Sequence, residues 1–433
     1  MDRRDFLQKA AMMGLAVMSA PLVGSTARAQ SANNTPYSGP FWIFVNANGG
    51  WDPTDLCDPK GRANETVRDP VNNYLSGDIF TNGAISFAPH AGHDGFLDKH
   101  ASRMMVIRGI DLSTNGHGEG LRHSFSGRLP EGNPSLAALI AATYAPQLPT
   151  SFLTAGGFDA TGGVVGATRI GNPGVLQSIA YPNQVNPGEN AQAGQVNKRS
   201  FHDEVVAERI ERYREQRWAS LKSNQRLPHI RASMNEMYTA GLDQGTLKQV
   251  SELIPNPLSR DRFESQIQIA LAAYKAGASI SMSMGFGGFD THGAHDANHI
   301  PQMQQLLQKV DFLWNEAERL QIADKVVVVM SSEMGRTPKY NAGNGKDHWS
   351  ITSAILMGAG IPAGRVVGGT TENVAAMKID PDTFALKDAK DPTGVLITPA
   401  MIHDALRIKA GVKDEFRRTF PIYPEKQIDF FKA

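Results

Sequence analysis

The 433-residue chain has one cysteine, no excess of either charge and no apolar run long enough to cross a bilayer. Cys57 alone cannot form an intrachain disulfide, and one thiolate cannot build an iron–sulfur cluster or a cysteine-based zinc site. Lysine plus arginine (43) equals aspartate plus glutamate (43), so no global positive field attracts nucleic acid. Because a cysteine-based site is excluded, the ligands of any bound metal must be histidine, aspartate and glutamate.

Residues 1–29 have the organisation of a twin-arginine export signal. Arg3 and Arg4 precede a modest apolar stretch over 10–23, which at about 14 residues is too short to span a membrane. Cleavage after Ala29 would leave a chain with no stable membrane span. We expect this chain in the periplasm or otherwise outside the cytoplasm. The twin-arginine translocase is then the partner during export.

The rest of the chain reads as a short flexible leader, 30–40, and a single domain, 41–433, with a Gly/Asn/Pro-rich insertion near 156–200. Four apolar runs of strand length each end in a polar loop, at 41–47, 104–110, 280–284 and 325–330. Amphipathic patterns predict helices at 201–224, 229–243, 259–276 and 301–321. Strands alternating with helices predict an α/β domain with a mainly parallel sheet, whose ligands collect at the carboxyl ends of the strands.

The loop after the third apolar run is rich in metal-binding side chains. Asp290 and His292 are two residues apart, and carboxylate and imidazole suit Zn²⁺ or Mn²⁺ when no thiolate is available. His295 and His299 are four apart and would share one face of a helix that starts near Ala294. A surface turn or helix cap is the alternative interpretation of this segment.

Two other strand ends carry candidates. Asp52 follows two glycines, where a ligand can approach the backbone closely, although an Asp that stabilises a turn explains it equally well. His117 and His123 lie among glycines, and a helix that begins near Gly118 would place His117 at its positive end.

The loop after the fourth run supplies the remaining candidates. Glu333 directly follows a buried strand, although it would also serve as a helix cap. His348 follows Asp347, which is placed to orient its ring. Cationic side chains surround this segment and suit an anionic group unless they are simply solvated; they are Arg336, Lys339 and Lys346.

These motifs together resemble the DUF1501 family of exported bacterial proteins, which is placed in the alkaline phosphatase–sulfatase superfamily. The resemblance covers essentially the whole mature chain. Its carriers are NGGWD (48–52), SFSGR (124–128), FDTH (289–292), MSSEMGRTP (330–338), GKDHW (345–349) and ILMGAG (355–360).

The resemblance implies an alkaline phosphatase-like three-layer sandwich, a mainly parallel central sheet flanked by helices, with a divalent metal at the strand ends. Zn, Mn, Ca and Mg all stay open as the ion. The ligands it implies are Asp52, Asp290, His292, Glu333 and His348. Arg336 and Lys346 are then expected to hold the anionic part of a substrate, and His117 to act as a ligand or as acid and base.

The sequence departs from the superfamily at two positions. The superfamily has a hydroxyl-bearing residue or a modified cysteine at the start of the helix that ends here at Gly127. In this sequence that place corresponds to Gly116 and His117, which carry no hydroxyl. Met334 stands where the histidine of an Asp-His pair is expected. We therefore expect either a metal-dependent hydrolase-like protein acting on phosphate or sulfate esters without a protein nucleophile, or a non-catalytic periplasmic binding or assembly protein.

Overall fold

The computed structural model describes residues 17–18, 37–146, 148, 150–170, 183–185, 199–227, 244–255 and 257–432. The predicted export signal, apart from Val17 and Met18, lies outside the described residues. So do most of the leader, most of the insertion near 156–200 and the whole of the predicted helix at 229–243. Within the described part of the chain, no helix is both long and apolar enough to cross a membrane.

Among the described residues, nine strands form the main sheet and eight lie in two-stranded pairs. In chain order the strands are β1 Val17–Met18, β2 Phe41–Ala47, β3 Gly61–Arg62, β4 Asn72–Leu75, β5 Phe80–Asn82, β6 Ile85–Phe87, β7 Met104–Asp111, β8 Phe152–Ala155, β9 Ala167–Arg169, β10 Ser281–Phe286, β11 Val326–Ser331, β12 Gly335–Arg336, β13 His348–Trp349, β14 Ile351–Gly358, β15 Arg365–Gly368, β16 Lys378–Ile379 and β17 Leu386–Lys387.

The described α-helices are α1 His93–His100, α2 His117–Ser126, α3 Leu136–Tyr144, α4 Glu204–Asn224, α5 Gln244–Leu253, α6 Arg262–Lys275, α7 His295–Arg319, α8 Pro399–Lys409 and α9 Asp414–Thr419. Single 3₁₀ turns cover Pro53–Asp55, Ser76–Asp78, Ala101–Arg103 and Ala323–Lys325.

The main sheet has the order β1-β9-β8-β10-β2-β11-β14-β7-β15. Its strands run in the same direction except β1 and β14, which pair antiparallel with their neighbours. The predicted mainly parallel sheet is therefore confirmed. Because β14 runs the opposite way, its first residue lies at the edge where β2, β10, β11 and β7 end. A residue just before β14 thus reaches the same rim as the loops after those strands.

Helices cover both faces of the sheet. Along β2, Phe41, Ile43 and Val45 belong to the core that contains α6 and α7, whereas Trp42 and Phe44 belong to the core that contains α3 and α8. A strand buried on both faces reads as a continuous apolar run, which is why FWIFVNA shows no polar alternation. The result is the three-layer arrangement expected from the sequence.

The four strands predicted from apolar runs are all present, with ends shifted by at most two residues. The predicted helix at 301–321 begins earlier, at His295, and the one at 259–276 is trimmed to Arg262–Lys275. Asp261 caps the latter because its side chain accepts a hydrogen bond from the Glu264 amide. Local capping, rather than the apolar pattern, therefore decides where α6 begins.

Candidate metal centre

The polar loops meet at one rim of the sheet. Gly49 follows β2 at a φ of 118°, and a side chain there would overlap the backbone amide of Asp290 in the loop after β10. Gly120 in α2 approaches the carbonyl of Glu333 in the loop after β11 so closely that a Cβ atom would overlap it. The absence of side chains at these two glycines lets three loops and a helix converge.

Asp290 is the centre of an exposed cluster. Its Oδ1 lies 3.0 Å from His292 Nδ1 and 3.2 Å from His348 Nε2, and its Oδ2 lies 3.6 Å from His117 Nε2. The rings of His117 and His348 are 4.6 Å apart, and those of His292 and His348 are 4.7 Å apart. Three imidazoles and one carboxylate from three separate segments thus face one another at the surface.

The hydrogen bonds of His348 determine which of its nitrogens is free. Nδ1 lies 3.0 Å from the carbonyl oxygen of Asn115, an acceptor, so Nδ1 carries the proton and donates. Nε2 of the neutral ring then presents a lone pair to the Asp290 carboxylate, which is also an acceptor. Two acceptors face each other stably only when the ring gains a second proton or a cation lies between them. The expected orienting partner, Asp347, instead accepts a hydrogen bond from Asn341.

His117 is the first residue of α2 and is held from behind by Glu333. Its Nδ1 is 3.0 Å from Glu333 Oε1, the same oxygen that accepts a hydrogen bond of 2.5 Å from the Gly49 amide. Glu333 is 4% exposed, whereas the side chain of His117 is 45% exposed. The buried carboxylate therefore fixes the ring, and the ring's Nε2 points toward Asp290 at the open face.

The donor set fits a divalent cation. Ligand atoms about 2.1 Å from an ion are separated by about 3.4 Å in a tetrahedron and by about 3.0 Å in an octahedron. The contacts of Asp290 with His292, His348 and His117, at 3.0, 3.2 and 3.6 Å, lie around these separations. Ligand atoms of Asp290, His117 and His348 all lie within 4.8 Å of one another.

Arg336 keeps Asp290 ionised. Burial raises the pKa of Asp290, but the Arg336 guanidinium, which donates a hydrogen bond of 2.8 Å to this carboxylate, lowers it to about 2. The same guanidinium donates to the carbonyl oxygens of Gly49, Gly50 and Lys346. Through these hydrogen bonds Arg336 ties three loops together. Its side chain is fully buried, so none of its donors is directed at solvent.

A second, buried cluster lies beneath this rim and contains Asp52. Asp52 Oδ1 caps the turn that follows by accepting from the Thr54 amide, and Oδ2 is 2.6 Å from Lys346 Nζ. Lys346 Nζ also donates to Asn72 Oδ1 at 2.6 Å. Asp52 and Lys346 are both fully buried. Burial raises the pKa of Asp52, but the Lys346 ammonium and the hydrogen bond with His295 lower it below its usual value.

Asp55 and His295 complete the buried cluster. His295 Nε2 lies 3.1 Å from Asp55 Oδ2 and 3.4 Å from Asp52 Oδ2. His90 Nε2 is 2.9 Å from the other Asp55 oxygen. Burial lowers the pKa of His295, but the hydrogen bonds to Asp52 and Asp55 outweigh burial and raise it. The set Asp52, Asp55 and His295 also has three ligand atoms within 4.8 Å of one another.

Thr291 and His299 fix the orientation of His295. His299 Nε2 accepts a hydrogen bond of 2.9 Å from the Asp52 amide, so the proton of the neutral His299 ring is on Nδ1, which faces Thr291 Oγ1 at 3.1 Å. The Thr291 hydroxyl in turn lies 2.7 Å from His295 Nδ1. The rings of His295 and His299 are stacked, with centroids 4.3 Å apart, as expected for one face of α7.

The structure divides the sequence-predicted set between these two clusters. Those brought together at the exposed rim are His117, Asp290, His292, Glu333 and His348. Asp52 and Lys346 lie instead in the buried cluster, paired with each other. Lys346 and Arg336, expected at an anionic group, are both fully buried and already hydrogen bonded within the protein.

Sequence reasoning missed three residues that shape the two clusters. Asp55 lies three residues after Asp52, and this spacing within a Pro-containing turn was the available signal. Asn341 donates to the carbonyl of His292 at 3.0 Å and accepts from the amides of Gly343 and Gly345, which holds the two histidine-bearing loops together. Asn115 acts through its backbone carbonyl, which no side-chain pattern reveals.

Residues 42–385 match the family model described as protein of unknown function DUF1501. Because this match covers most of the chain, the protein belongs to the DUF1501 family. No curated protein matches the chain.

Several solved structures are similar to this chain at low identity. The PsFucS1 sulfatase from Pseudoalteromonas sp. is 11% identical with a TM-score of 0.40, over 91% of this chain and 72% of that one. The lipoteichoic acid synthase LtaP from Listeria monocytogenes is 9% identical with a TM-score of 0.36, over 98% and 80%. A mutant TAB5 alkaline phosphatase with bound Mg is 9% identical with a TM-score of 0.31, over 74% and 91%. The likeness concerns the fold alone.

Proposed function

We propose that the protein binds one divalent metal ion at the exposed rim and belongs to the hydrolase class that acts on phosphate or sulfate esters. The observation that carries the proposal is the contact of Asp290 with Nε2 of His348. The Asn115 carbonyl holds the proton of this ring on Nδ1, so that its free lone pair faces a carboxylate. His117 completes a donor set typical of Zn²⁺ or Mn²⁺, and His292 lies beside it, 3.0 Å from the Asp290 carboxylate.

A bound divalent ion would supply Lewis acidity and a water molecule of lowered pKa. The residues of the chain supply position and charge. Arg336 keeps the Asp290 carboxylate ionised, and Glu333 orients His117 from the buried side. A buried residue that orients a metal ligand typically contributes a factor of about 10–100 in metal affinity.

His117 has two alternative roles: because Glu333 holds Nδ1, the ring's Nε2 either binds the ion or exchanges a proton with a substrate. It is the first residue of α2, the place where the superfamily resemblance leads us to expect a nucleophilic hydroxyl. The side chain there is an imidazole rather than a hydroxyl or modified cysteine, so the nucleophile that the superfamily resemblance implies for a phospho- or sulfo-enzyme is missing. We therefore propose hydrolysis by water rather than through a covalent intermediate.

The second candidate function is a non-catalytic binding or assembly protein that has kept the fold. One observation favours it specifically: Arg336 and Lys346, the side chains expected to hold an anionic ester, are buried and paired within the protein. Without them, attraction for the substrate would depend more on a bound ion and on the histidines.

Turnover by metal-loaded protein separates the two candidates. The assay uses phosphomonoester, phosphodiester and sulfate ester substrates with Zn²⁺ and Mn²⁺. It compares the natural chain with Asp290→Asn, His348→Ala and, as the matched control, His202→Ala, an exposed histidine outside the cluster. Hydrolysis that falls at least about 100-fold in the first two variants and stays unchanged in the control supports the hydrolase. Stoichiometric metal with no turnover of any ester supports the binding protein.

Export through the twin-arginine route is a separate part of the proposal and rests on the Arg3-Arg4 pair. Cell fractionation of the chain and of an Arg3→Lys, Arg4→Lys variant tests it. We expect the natural chain outside the cytoplasm and the variant retained inside. Retention of both would contradict the proposed route.

A further inference from the structure

Lys346 is an unusual residue to bury. It is 0% exposed, and its ammonium is surrounded by Asp52 Oδ2 at 2.6 Å, Asn72 Oδ1 at 2.6 Å and the ring of Tyr340 at 5.0 Å. A charge this deep is retained only when it is paired and hydrogen bonded. The protein therefore holds a fixed cation in its interior, next to Asp52 and Asn72.

The carboxylate and imidazole atoms next to the Lys346 ammonium also suit a metal. Asp52, Asp55 and His295 offer two carboxylates and one imidazole within 4.8 Å of one another, all fully buried. Carboxylate and imidazole are the donors that Mn²⁺ and Zn²⁺ accept in proteins. The Lys346 ammonium, however, lies 2.6 Å from Asp52 Oδ2, at which distance it occupies that oxygen directly.

We propose that Asp52, Asp55 and His295 form a second cation site that the Lys346 ammonium keeps closed to metal by pairing with Asp52, and that a divalent ion enters this site only when the Lys346 side chain is removed. The natural chain then holds its metal at the exposed rim alone. The inference goes beyond the proposed function, because it concerns a separate site and holds whether or not the chain hydrolyses an ester.

The position of Lys346 in the chain shows how its buried ammonium supports the exposed rim. Lys346 is two residues before His348, and Asp52 is two residues after Gly50, whose carbonyl accepts from Arg336. The Asp52–Lys346 pair thus joins the loop after β2 to the segment that enters β13 and supports both sides of the exposed rim. A tethered ammonium does this without depending on the metal supply, so Lys346 is a positioning residue.

The test is made in an Asp290→Asn background, which disables the exposed cluster while keeping an acceptor for Arg336. Protein with and without Lys346→Met is incubated with MnCl₂ and desalted. Bound manganese is then counted by elemental analysis, and the thermal midpoint is followed against MnCl₂ concentration. We expect no bound ion with Lys346 present, one equivalent with Lys346→Met, and a midpoint that rises with manganese only in the latter.

Adding Asp52→Asn to the double variant locates the ion, because this change should abolish both the equivalent and the midpoint shift. A Lys346→Met protein that takes up no manganese would overturn the proposal. A second measurement does not depend on the folding of Lys346→Met: His295→Gln in the otherwise natural chain should leave the metal count unchanged. Loss of an equivalent there would show that the buried site already holds a metal in the natural protein.

Discussion

Replacing Arg336 by methionine removes a buried group that holds three loops of the rim together. Its guanidinium donates to Gly50 O at 2.8 Å, to Lys346 O at 3.0 Å, to Gly49 O and to Asp290 Oδ1 at 2.8 Å. Methionine fills similar volume but has no donor, so buried acceptors lose their partner. The side chain is fully buried, so water cannot replace it without rearrangement.

The cost can be worked out from these contacts. An unsatisfied buried acceptor costs about 1–3 kcal/mol, and removing one partner of a buried ion pair costs about 3–5 kcal/mol in total. Because half of the Asp290 side chain is exposed and regains water, we expect a loss of about 3–5 kcal/mol rather than the sum of all four contacts. Such a loss is a large fraction of the stability of an ordinary domain.

Urea unfolding followed by tryptophan fluorescence measures this loss. The control is Arg214→Met, since Arg214 forms an exposed ion pair with Glu211 and should cost no more than about 1 kcal/mol. Arg336→Lys keeps the charge but not the planar fork, so its loss should be intermediate. The interpretation of Arg336 as the clamp of the rim would be refuted if Arg336→Met lowered the free energy of unfolding by less than about 1 kcal/mol while the slope of that free energy against urea concentration stayed unchanged.

Three further predictions concern single side chains. The folded pKa of Asp290 is about 2 against an ordinary 3.8, so the ionised side chain stabilises the fold fully above about pH 4, and this contribution disappears toward pH 2. The difference in free energy of unfolding between the natural chain and Asp290→Asn, measured by urea unfolding, should therefore narrow as the pH falls over that range. A difference that widens would contradict this prediction. Burial lowers the pKa of His403 to about 3, so the unfolded chain takes up the proton first, and this histidine contributes a slope of about 1.4 kcal/mol per pH unit to the loss of stability as the pH falls from about 6.5 to 3. His403→Gln should remove that slope, and an unchanged slope would contradict the burial argument. Glu333→Leu should weaken metal binding about 10–100-fold in calorimetry by releasing His117, whereas Glu333→Gln keeps an acceptor and should lose less; equal losses would contradict an orienting role.

The sheet and the convergence of loops at its rim were predictable because they follow from local patterns. Uninterrupted runs such as 325–330 are typical of strands buried on both faces, and parallel strands end at a common edge. The spacing of His295 and His299 also predicted their shared helix face correctly. These features depend on residues close in sequence or on the general direction of strands.

The division into two clusters was not predictable from the sequence. Asp52 and Lys346 are 294 positions apart, and no local pattern indicates that they pair in the interior. A lysine or arginine in a glycine-rich loop is usually solvated, so burial of Lys346 and Arg336 depends on tertiary contacts alone. The expectation that both would face an anion followed from charge without knowledge of these partners.

We propose above that Asp290, His348 and His117 hold one divalent ion at the exposed rim, with His292 beside them. The most direct test is an elemental count on protein loaded with Zn²⁺ or Mn²⁺ and desalted. We predict one equivalent per chain in the natural protein and in His202→Ala, and none in Asp290→Ala or His348→Ala. A natural protein that retains no metal, or variants that retain the full equivalent, would contradict the account.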